Sequence, residues 1–272
     1  IAAILQRLRG KKVVFWTHGF YGDECRMKYS IRKIFYMLAD HVLLYGDRGC
    51  QLMKTAGFSP DRLTVIYNSL QQSTKPLIKA DKVYTGNASE LRLLFISRLS
   101  PVKRVDLLVE AVSQLCIEGR YDSVSLRIVG DGSERTVLEE LVSELGIHEN
   151  VDFLGEIHDE GVIAELMIWA DMVVSPGNAG LNVIHAFSYY KPMVTHDDWA
   201  EQMPEAEAVK NGETGRLFEN GSVLGLVKAI IEVKNDLENG KIDTSNYENV
   251  LNKYCVRFQM KRLNDVLQKV SG

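Results

Sequence analysis

Short apolar runs alternate with stretches of helical spacing along most of the chain. KVVFWTH (Lys12–His18), HVLLY (His41–Tyr45) and LTVIY (Leu63–Tyr67) have the length and β-branched content of buried strands. Between them, residues 28–38 and a segment running through Met53 repeat apolar positions at three and four residues, which predicts helices. A polar segment then covers Gln71–Glu90, rich in Ser, Thr, Lys, Gly and Asn and without periodicity. It reads as an interdomain linker, with residues 76–90 as its main part.

The alternation restarts after the linker. Leu93–Ile96, Val124–Val129, Val151–Leu154, Met172–Ser175 and Pro192–Thr195 are predicted strands. Helical spacing lies between them at Val105–Glu118, Glu134–Leu145, Gly161–Trp169 and Leu181–Tyr189. Continuously apolar strands joined by helices imply a parallel sheet covered on both faces. Two more helices are predicted at Leu224–Leu237 and Tyr247–Leu267, the second interrupted near Tyr254. The expected fold class is therefore α/β, with two Rossmann-like units of parallel sheet flanked by helices. Residues 1–75 form the first and 91–255 the second. With about three strands the first is incomplete, half of a doubly wound sheet, and the chain starts at Ile1. Both features lead us to expect an amino-terminally truncated molecule.

Composition changes this picture only at its edges. The 272 residues are 46% hydrophobic and 25% charged, the balance of a water-soluble globular protein. Cys25, Cys50, Cys116 and Cys255 lie far apart and form no metal-binding spacing, so reduced thiols and no metal are expected. Without a visible secretory signal, the expected location is cytoplasmic. Charge is unevenly spread: residues 1–75 hold 12 Lys+Arg against 5 Asp+Glu, net +7, whereas the whole chain is −4. A basic first part suits an anionic partner, such as peripheral contact with the inner face of a membrane. A merely solvated basic surface fits equally well. Nucleic acid is not expected, because no aromatic-interleaved basic motif occurs.

Candidate chemistry gathers at strand ends. Arg98 and Lys103 follow the strand Leu93–Ile96 and precede a helix. Ligands sit at the carboxyl ends of parallel strands, and a guanidinium with an ammonium suits a phosphate or diphosphate. An ordinary pair of surface cations is the alternative. RIVGDGSE (Arg127–Glu134) offers a turn at Gly130 and Gly132 with Ser133 as a helix cap, more a structural turn than a phosphate loop. SPGNAGLNVIHAF (Ser175–Phe187) ends a strand in small residues, where a ligand can approach the backbone. His185 lies one turn beyond Leu181, and His18 ends the first strand, each a candidate contact with a ligand.

Together these motifs resemble glycosyltransferase family 4, retaining enzymes with the GT-B double-Rossmann fold. The family's G-R-x-x-x-x-K reads here as Ser97 and Arg98 through Lys103. Its GDG turn is similar to Gly130–Gly132, its V-x-F-L-G strand to Val151–Gly155, its AD-x-x-x-x-P to Ala170–Pro176, and its NG-x-x-G-x-L to Asn211–Leu217. Asn68, in IYNSL, resembles the residue before the family's linker. The resemblance implies that Arg98 and Lys103 hold the donor diphosphate and that Glu156 and Ile157 meet the nucleobase. It implies that Gly130 lines the donor cleft, that the amides of Asn178, Ala179, Gly180 and Leu181 meet phosphate or sugar, and that His18 orients the transferred sugar. The last helix, residues 256–272, would pack back on the acceptor-side first domain. The implied partners are a nucleotide-sugar, which is a donor substrate rather than a cofactor, and a glycan or lipid-linked acceptor.

The chain departs from that family at one motif. Gly177 and His185 stand where the family carries two glutamates, the first on the donor sugar and the second on ribose. Gln202 and Glu205, in the run AEQMPEAEA, are the candidates to replace those contacts. The departure keeps two alternatives open: a non-catalytic nucleotide-sugar-binding module and a nucleotide-sugar epimerase. A Rossmann dehydrogenase is disfavoured, since no strand is followed by G-x-G-x-x-G with an acid about 20 residues on.

Overall fold

A computed structural model describes residues 2–70 and 86–271. It groups them into two units, one of residues 1–72 with 252–272 and one of residues 73–251.

The first unit holds α1 (Ala2–Leu8), β1 (Val14–Thr17), α2 (Arg26–Met37), β2 (His41–Leu44), α3 (Asp47–Thr55) and β3 (Leu63–Val65). The strands pair in parallel in the order β1-β2-β3. Helix α10 (Val256–Ser271) closes the unit, packing Val266 against Leu43 and Ile66. Its Lys269 Nζ donates to Asp61 O (2.7 Å) and its Arg262 Nε to Val65 O (3.2 Å).

The second unit is built on six parallel strands: β4 (Glu90–Ile96), β5 (Ser123–Val129), β6 (Val151–Gly155), β7 (Met172–Ser175), β8 (Met193–His196) and β9 (Gly215–Phe218). Their order is β6-β5-β4-β7-β8-β9. The helices are α4 (Val105–Glu118), α5 (Arg135–Glu144), α6 (Glu160–Trp169), α7 (Asn182–Ser188), α8 (Val223–Glu238) and α9 (Thr244–Leu251). One core joins Leu93 and Phe95 of β4 to Leu108, Val112 and Leu115 of α4 and Ile230 of α8, each without exposed surface. Strands β7 and β8 are buried at every position, the two-sided burial that their unbroken apolar sequence requires.

Local chemistry sets the helix ends. Asp159 caps α6 by accepting from Val162 N (3.0 Å), and Ser222 caps α8 by accepting from Gly225 N (3.0 Å). Ser133 does not cap α5: its hydroxyl turns to Glu134 Oε1 (3.4 Å), and the helix starts at Arg135. The predicted break near Tyr254 separates α9 from α10. There Leu70 bridges Cys255, and the Tyr254 ring packs 4.8 Å from Tyr67, so the chain leaves its helix to pair and pack.

The linker expectation is cut short at its end, because Glu90 already pairs with Ser123 in the sheet. Residues 71–85 of that linker lie outside the described residues. Two elements were not expected from the sequence, α1 and β9. Among the described residues, no helix is long and apolar enough to cross a membrane.

Candidate functional site

The strand order reverses at β4. Strands β5 and β6 lie on one side of it and β7, β8 and β9 on the other. Ligands of open α/β sheets bind outside the carboxyl ends at such a switch point. The loops that leave β4 and β7 carry Arg98, Lys103 and Asn178–Leu181, so the sequence motifs fall at the crevice the topology creates.

Backbone hydrogen bonds tie these loops into one row. Gly130 N donates to Gly155 O (2.8 Å), Leu99 N to Asp131 O (2.9 Å), Gly177 N to Lys103 O (3.0 Å) and Asn178 N to Val102 O (3.3 Å). The contacts leave no space for side chains. At Gly130, with φ +135°, an added Cβ would lie 1.9 Å from Ser97 O. At Gly177 it would lie 2.0 Å from Val102 O. Glycine is therefore fixed at both positions by the close approach of neighbouring backbone.

Lys103 is held at the centre of the row. Its Nζ donates to both Asn178 O and Asn178 Oδ1, at 2.7 Å each. Burial pushes its ammonium below the ordinary lysine range. Arg98 is exposed, and among the described residues its guanidinium makes no hydrogen bond or ion pair. One cation is thus fixed by protein oxygens, and the other is exposed.

The glycine-rich loop after β7 is held from behind by Gln202, which is 5% exposed. Its Oε1 accepts from Ala179 N (3.1 Å), and its Nε2 donates to Thr195 Oγ1 (2.8 Å) and His196 O (3.1 Å). Gln202 therefore braces the loop, and its amide is spent there rather than offered as a substitute for a lost glutamate. The Asn178 and Ala179 amides are engaged by Val102 O and Gln202 Oε1. The expectation that four consecutive amides meet a ligand narrows to Gly180 and Leu181. Ser175 Oγ and Asn182 Nδ2, at the two ends of this loop, are buried without hydrogen-bond partners among the described residues. Buried orphans of this kind are rare and call for an occupant or water.

Beside this loop lies a cavity of about 530 Å³, lined in part by Val102, Arg104, Asn178, His196, Glu201 and Asn220. Burial lowers the His196 imidazole's affinity for a proton, and its Nδ1 accepts from Asp198 N (3.2 Å). Asn220 Nδ2 donates to Glu201 Oε2 (3.1 Å). Such mixed donors and acceptors suit a hydroxylated ligand.

The remaining expected residues fall in three places. Glu156 and Ile157 follow β6, with Glu156 exposed. His185, on α7, places Nε2 3.0 Å from Glu160 Oε1, and Tyr189 donates to the same oxygen at 2.8 Å. Glu160 was missed by sequence reasoning, since nothing in a strand-to-helix turn marks an acid that will meet a histidine 25 residues later. His18 belongs to the first unit, just past the end of β1. Its ring packs 4.9 Å from that of Tyr45, and its Nδ1 lies 3.5 Å from Tyr21 Oη.

Comparison with known proteins bears on the family and the fold. N-acetyl-alpha-D-glucosaminyl L-malate synthase of Bacillus anthracis is 28% identical over 182 residues, covering 65% of this chain and 45% of that protein. Poly(ribitol-phosphate) alpha-N-acetylglucosaminyltransferase of Staphylococcus aureus is 26% identical, over 58% of this chain and 31% of its own length. The chain thus spans less than half of either curated relative. Among solved structures, Anabaena Alr3699/HepE in complex with UDP superposes with a TM-score of 0.74 at 20% identity, over 98% of this chain and 75% of that one. A glycosyltransferase from Rickettsia africae does so at 0.74 and 16%, over 99% and 73%. These likenesses establish the GT-B fold. The pattern of the family described as "Glycosyl transferases group 1" matches residues 79–247, which contain the whole row of strand-end loops. With more than half of its length matched and its motifs assembled at the switch point, the chain belongs to the group 1 glycosyl transferases.

Proposed function

We propose that this chain carries the donor site of a retaining glycosyltransferase of family 4, which moves a sugar from a nucleotide-sugar to a glycan or lipid-linked acceptor. The observation that carries this reading is the Lys103 ammonium, pinned by Asn178 between the β4 and β7 loops, with the Arg98 guanidinium on the same loop making no hydrogen bond or ion pair among the described residues. The names of relatives and of structures solved with UDP support a nucleotide-sugar donor.

Breaking the bond between the anomeric carbon and the diphosphate leaves an electron pair on a phosphate oxygen. Arg98 and Lys103 are charges aimed at that oxygen. They gain most when its charge is largest, in the transition state. The acceptor hydroxyl enters from the face the diphosphate leaves and passes its proton to the departing phosphate oxygen, which retains configuration. Gly180 and Leu181 supply the remaining backbone donors. Glu160, oriented by His185 and Tyr189, supplies on α6 the carboxylate that α7 lacks at position 185 and serves the ribose hydroxyls.

The test is turnover of a panel of UDP- and GDP-sugars by the full chain, read as released nucleoside diphosphate. Arg98→Ala should lower turnover by about 10- to 1000-fold, one to three steps of roughly 1.4 kcal/mol. A change below about twofold would remove Arg98 from its role. A second reading, a nucleotide-sugar-binding module without transfer, is favoured by one observation: Gly177 has no room for a carboxylate-bearing side chain. It predicts UDP binding with no donor turned over.

A further inference from the structure

The cavity beside the loop after β7 differs in chemistry from the loops that carry Arg98 and Lys103. Its walls come from the second unit alone, past the carboxyl ends of β8 and β9 and at the start of α4. Among the described residues, Arg98, Lys103, Gly180 and Leu181 are not part of its lining. It shares with the hydrogen-bonded row only Val102, Gly177 and Asn178.

His196 is the wall that points to an occupant. The residue is 2% exposed, and its ring lines the cavity. Burial lowers its affinity for a proton, so the ring stays neutral. Its Nδ1 accepts from Asp198 N (3.2 Å), so the single ring N–H sits on Nε2. That N–H has no hydrogen-bond partner among the described residues. A buried donor left unpaired is costly, and it calls for a group that accepts from it.

The remaining walls are fixed in advance. The turn that carries Glu201 is tied down by Glu201 N and Gln202 N, which donate to Asp198 O (3.2 and 3.1 Å), and by Asp197 N, which donates to Phe218 O (2.9 Å). Asn220 Nδ2 donates to Glu201 Oε2 (3.1 Å), which leaves Asn220 Oδ1 as an acceptor. Arg104 takes a left-handed backbone, φ +47°, and grips Asp106 through Nε (3.1 Å) and Nη2 (2.9 Å). Strain of that kind at a non-glycine residue gathers at ligand sites. A preformed wall spares a ligand the cost of ordering it.

Charge selects the guest. Asp198, Glu201 and Asp197 act on His196 against the Arg104 cation, which Asp106 already neutralises. The field is negative, so a phosphate or carboxylate is repelled, the reverse of the Lys103 loop. Fixed donors and acceptors beside the apolar Pro101 and Val102 fit the hydroxyls and C–H groups of an uncharged sugar. We propose that this cavity is a second ligand site, distinct from the diphosphate grip, which takes an uncharged saccharide through His196 Nε2–H, Glu201 and Asn220. The sugar of a nucleotide-sugar and a free glycan offer the same hydroxyls. The site stands without the transferase reading.

Imidazole proton–nitrogen NMR of the full chain tests it, with the His196 signal assigned by its loss in His196→Gln. The uncharged probes are the methyl glycosides of glucose, galactose, mannose and N-acetylglucosamine, and UDP-glucose, UDP-galactose and UDP-N-acetylglucosamine carry the same sugars on a nucleotide. Methyl glucuronide, inorganic phosphate and UDP are the anionic counterparts. At least one uncharged sugar, free or carried on UDP, should move the His196 Nε2 signal saturably, and the three anionic counterparts should not. A response to methyl glycosides assigns the site to a free glycan, and a response to UDP-sugars alone assigns it to the sugar of the donor. Asn220→Ala and Glu201→Gln should each weaken the response by about 5- to 10-fold, the loss of one hydrogen bond, with folding checked by thermal melting. The proposal is overturned if no uncharged sugar moves His196, if glucuronide, phosphate or UDP moves it as far as the sugars do, or if either folded variant keeps wild-type affinity. Calorimetric binding of UDP is read separately: its absence would remove the donor reading and leave a response to methyl glycosides intact.

Discussion

Gly177 illustrates how one residue links sequence to chemistry. Its position resembles that of a family glutamate, yet an added Cβ there would meet Val102 O at 2.0 Å. The same approach lets Gly177 N reach Lys103 O and lets Asn178 hold the Lys103 ammonium. Gly177→Ala should therefore loosen the lysine as well as the loop, and UDP affinity by calorimetry should fall although residue 177 itself carries no charge. Unchanged affinity would mean that the loop tolerates displacement. The burial that lowers the Lys103 proton affinity has its own consequence. Donor binding should weaken with alkaline pH earlier than an ordinary lysine would cause, and Lys103→Arg should remove that dependence, because arginine stays charged. The placement of Arg98, Lys103 and the small residues after β7 at the carboxyl ends of strands was legible in the sequence. That two of the four amides were already engaged was not, because their partners, Val102 and Gln202, lie far along the chain.

At the scale of elements, the strand-helix alternation was read from apolar periodicity, and the strands at the switch point were the clearest. Strand β9 escaped because GRLF is four residues long, with a charged residue that leaves the strand to pair with Asp236 on α8. Helix α1 escaped for another reason: it buries no side chain, so no packing shaped its pattern. The short helix α7 and the loop before it depend on Gln202. Gln202→Ala would leave Ala179 N and Thr195 Oγ1 without this partner in a buried place, at a cost of about 1–3 kcal/mol. Thermal melting should register that loss, and Gln202→Glu should not repair it, since a carboxylate cannot donate to His196 O. A melting point equal to wild type would show that Gln202 does not brace the loop.

For the whole molecule, stability should respond to pH through Lys191. Burial lowers its pKa to about 8, with Asp171 opposing the shift. An unfolded lysine titrates near 10.4, so between those values the unfolded chain binds more protons than the folded one. Stability should therefore rise as pH increases from about 8 to 10, by at most roughly 1.4 kcal/mol per pH unit. Tyr190 acts in the opposite sense above pH 10, because burial and its bond to Glu248 push its pKa up to about 12. Lys191→Met should flatten the rise, measured by urea unfolding across the range. The basic bias of residues 1–75, net +7, belongs to this scale too, and for this chain we keep peripheral contact with an anionic surface as a proposal.

We propose that the loops after β4 and β7 grip a diphosphate. Isothermal titration of UDP into the full chain, its Lys103→Ala variant and its Arg98→Ala variant tests it most directly. Wild type should bind saturably, and affinity should be about 10-fold or more weaker in each variant, one step of 1.4 kcal/mol or greater. Equal affinity in all three proteins would contradict it.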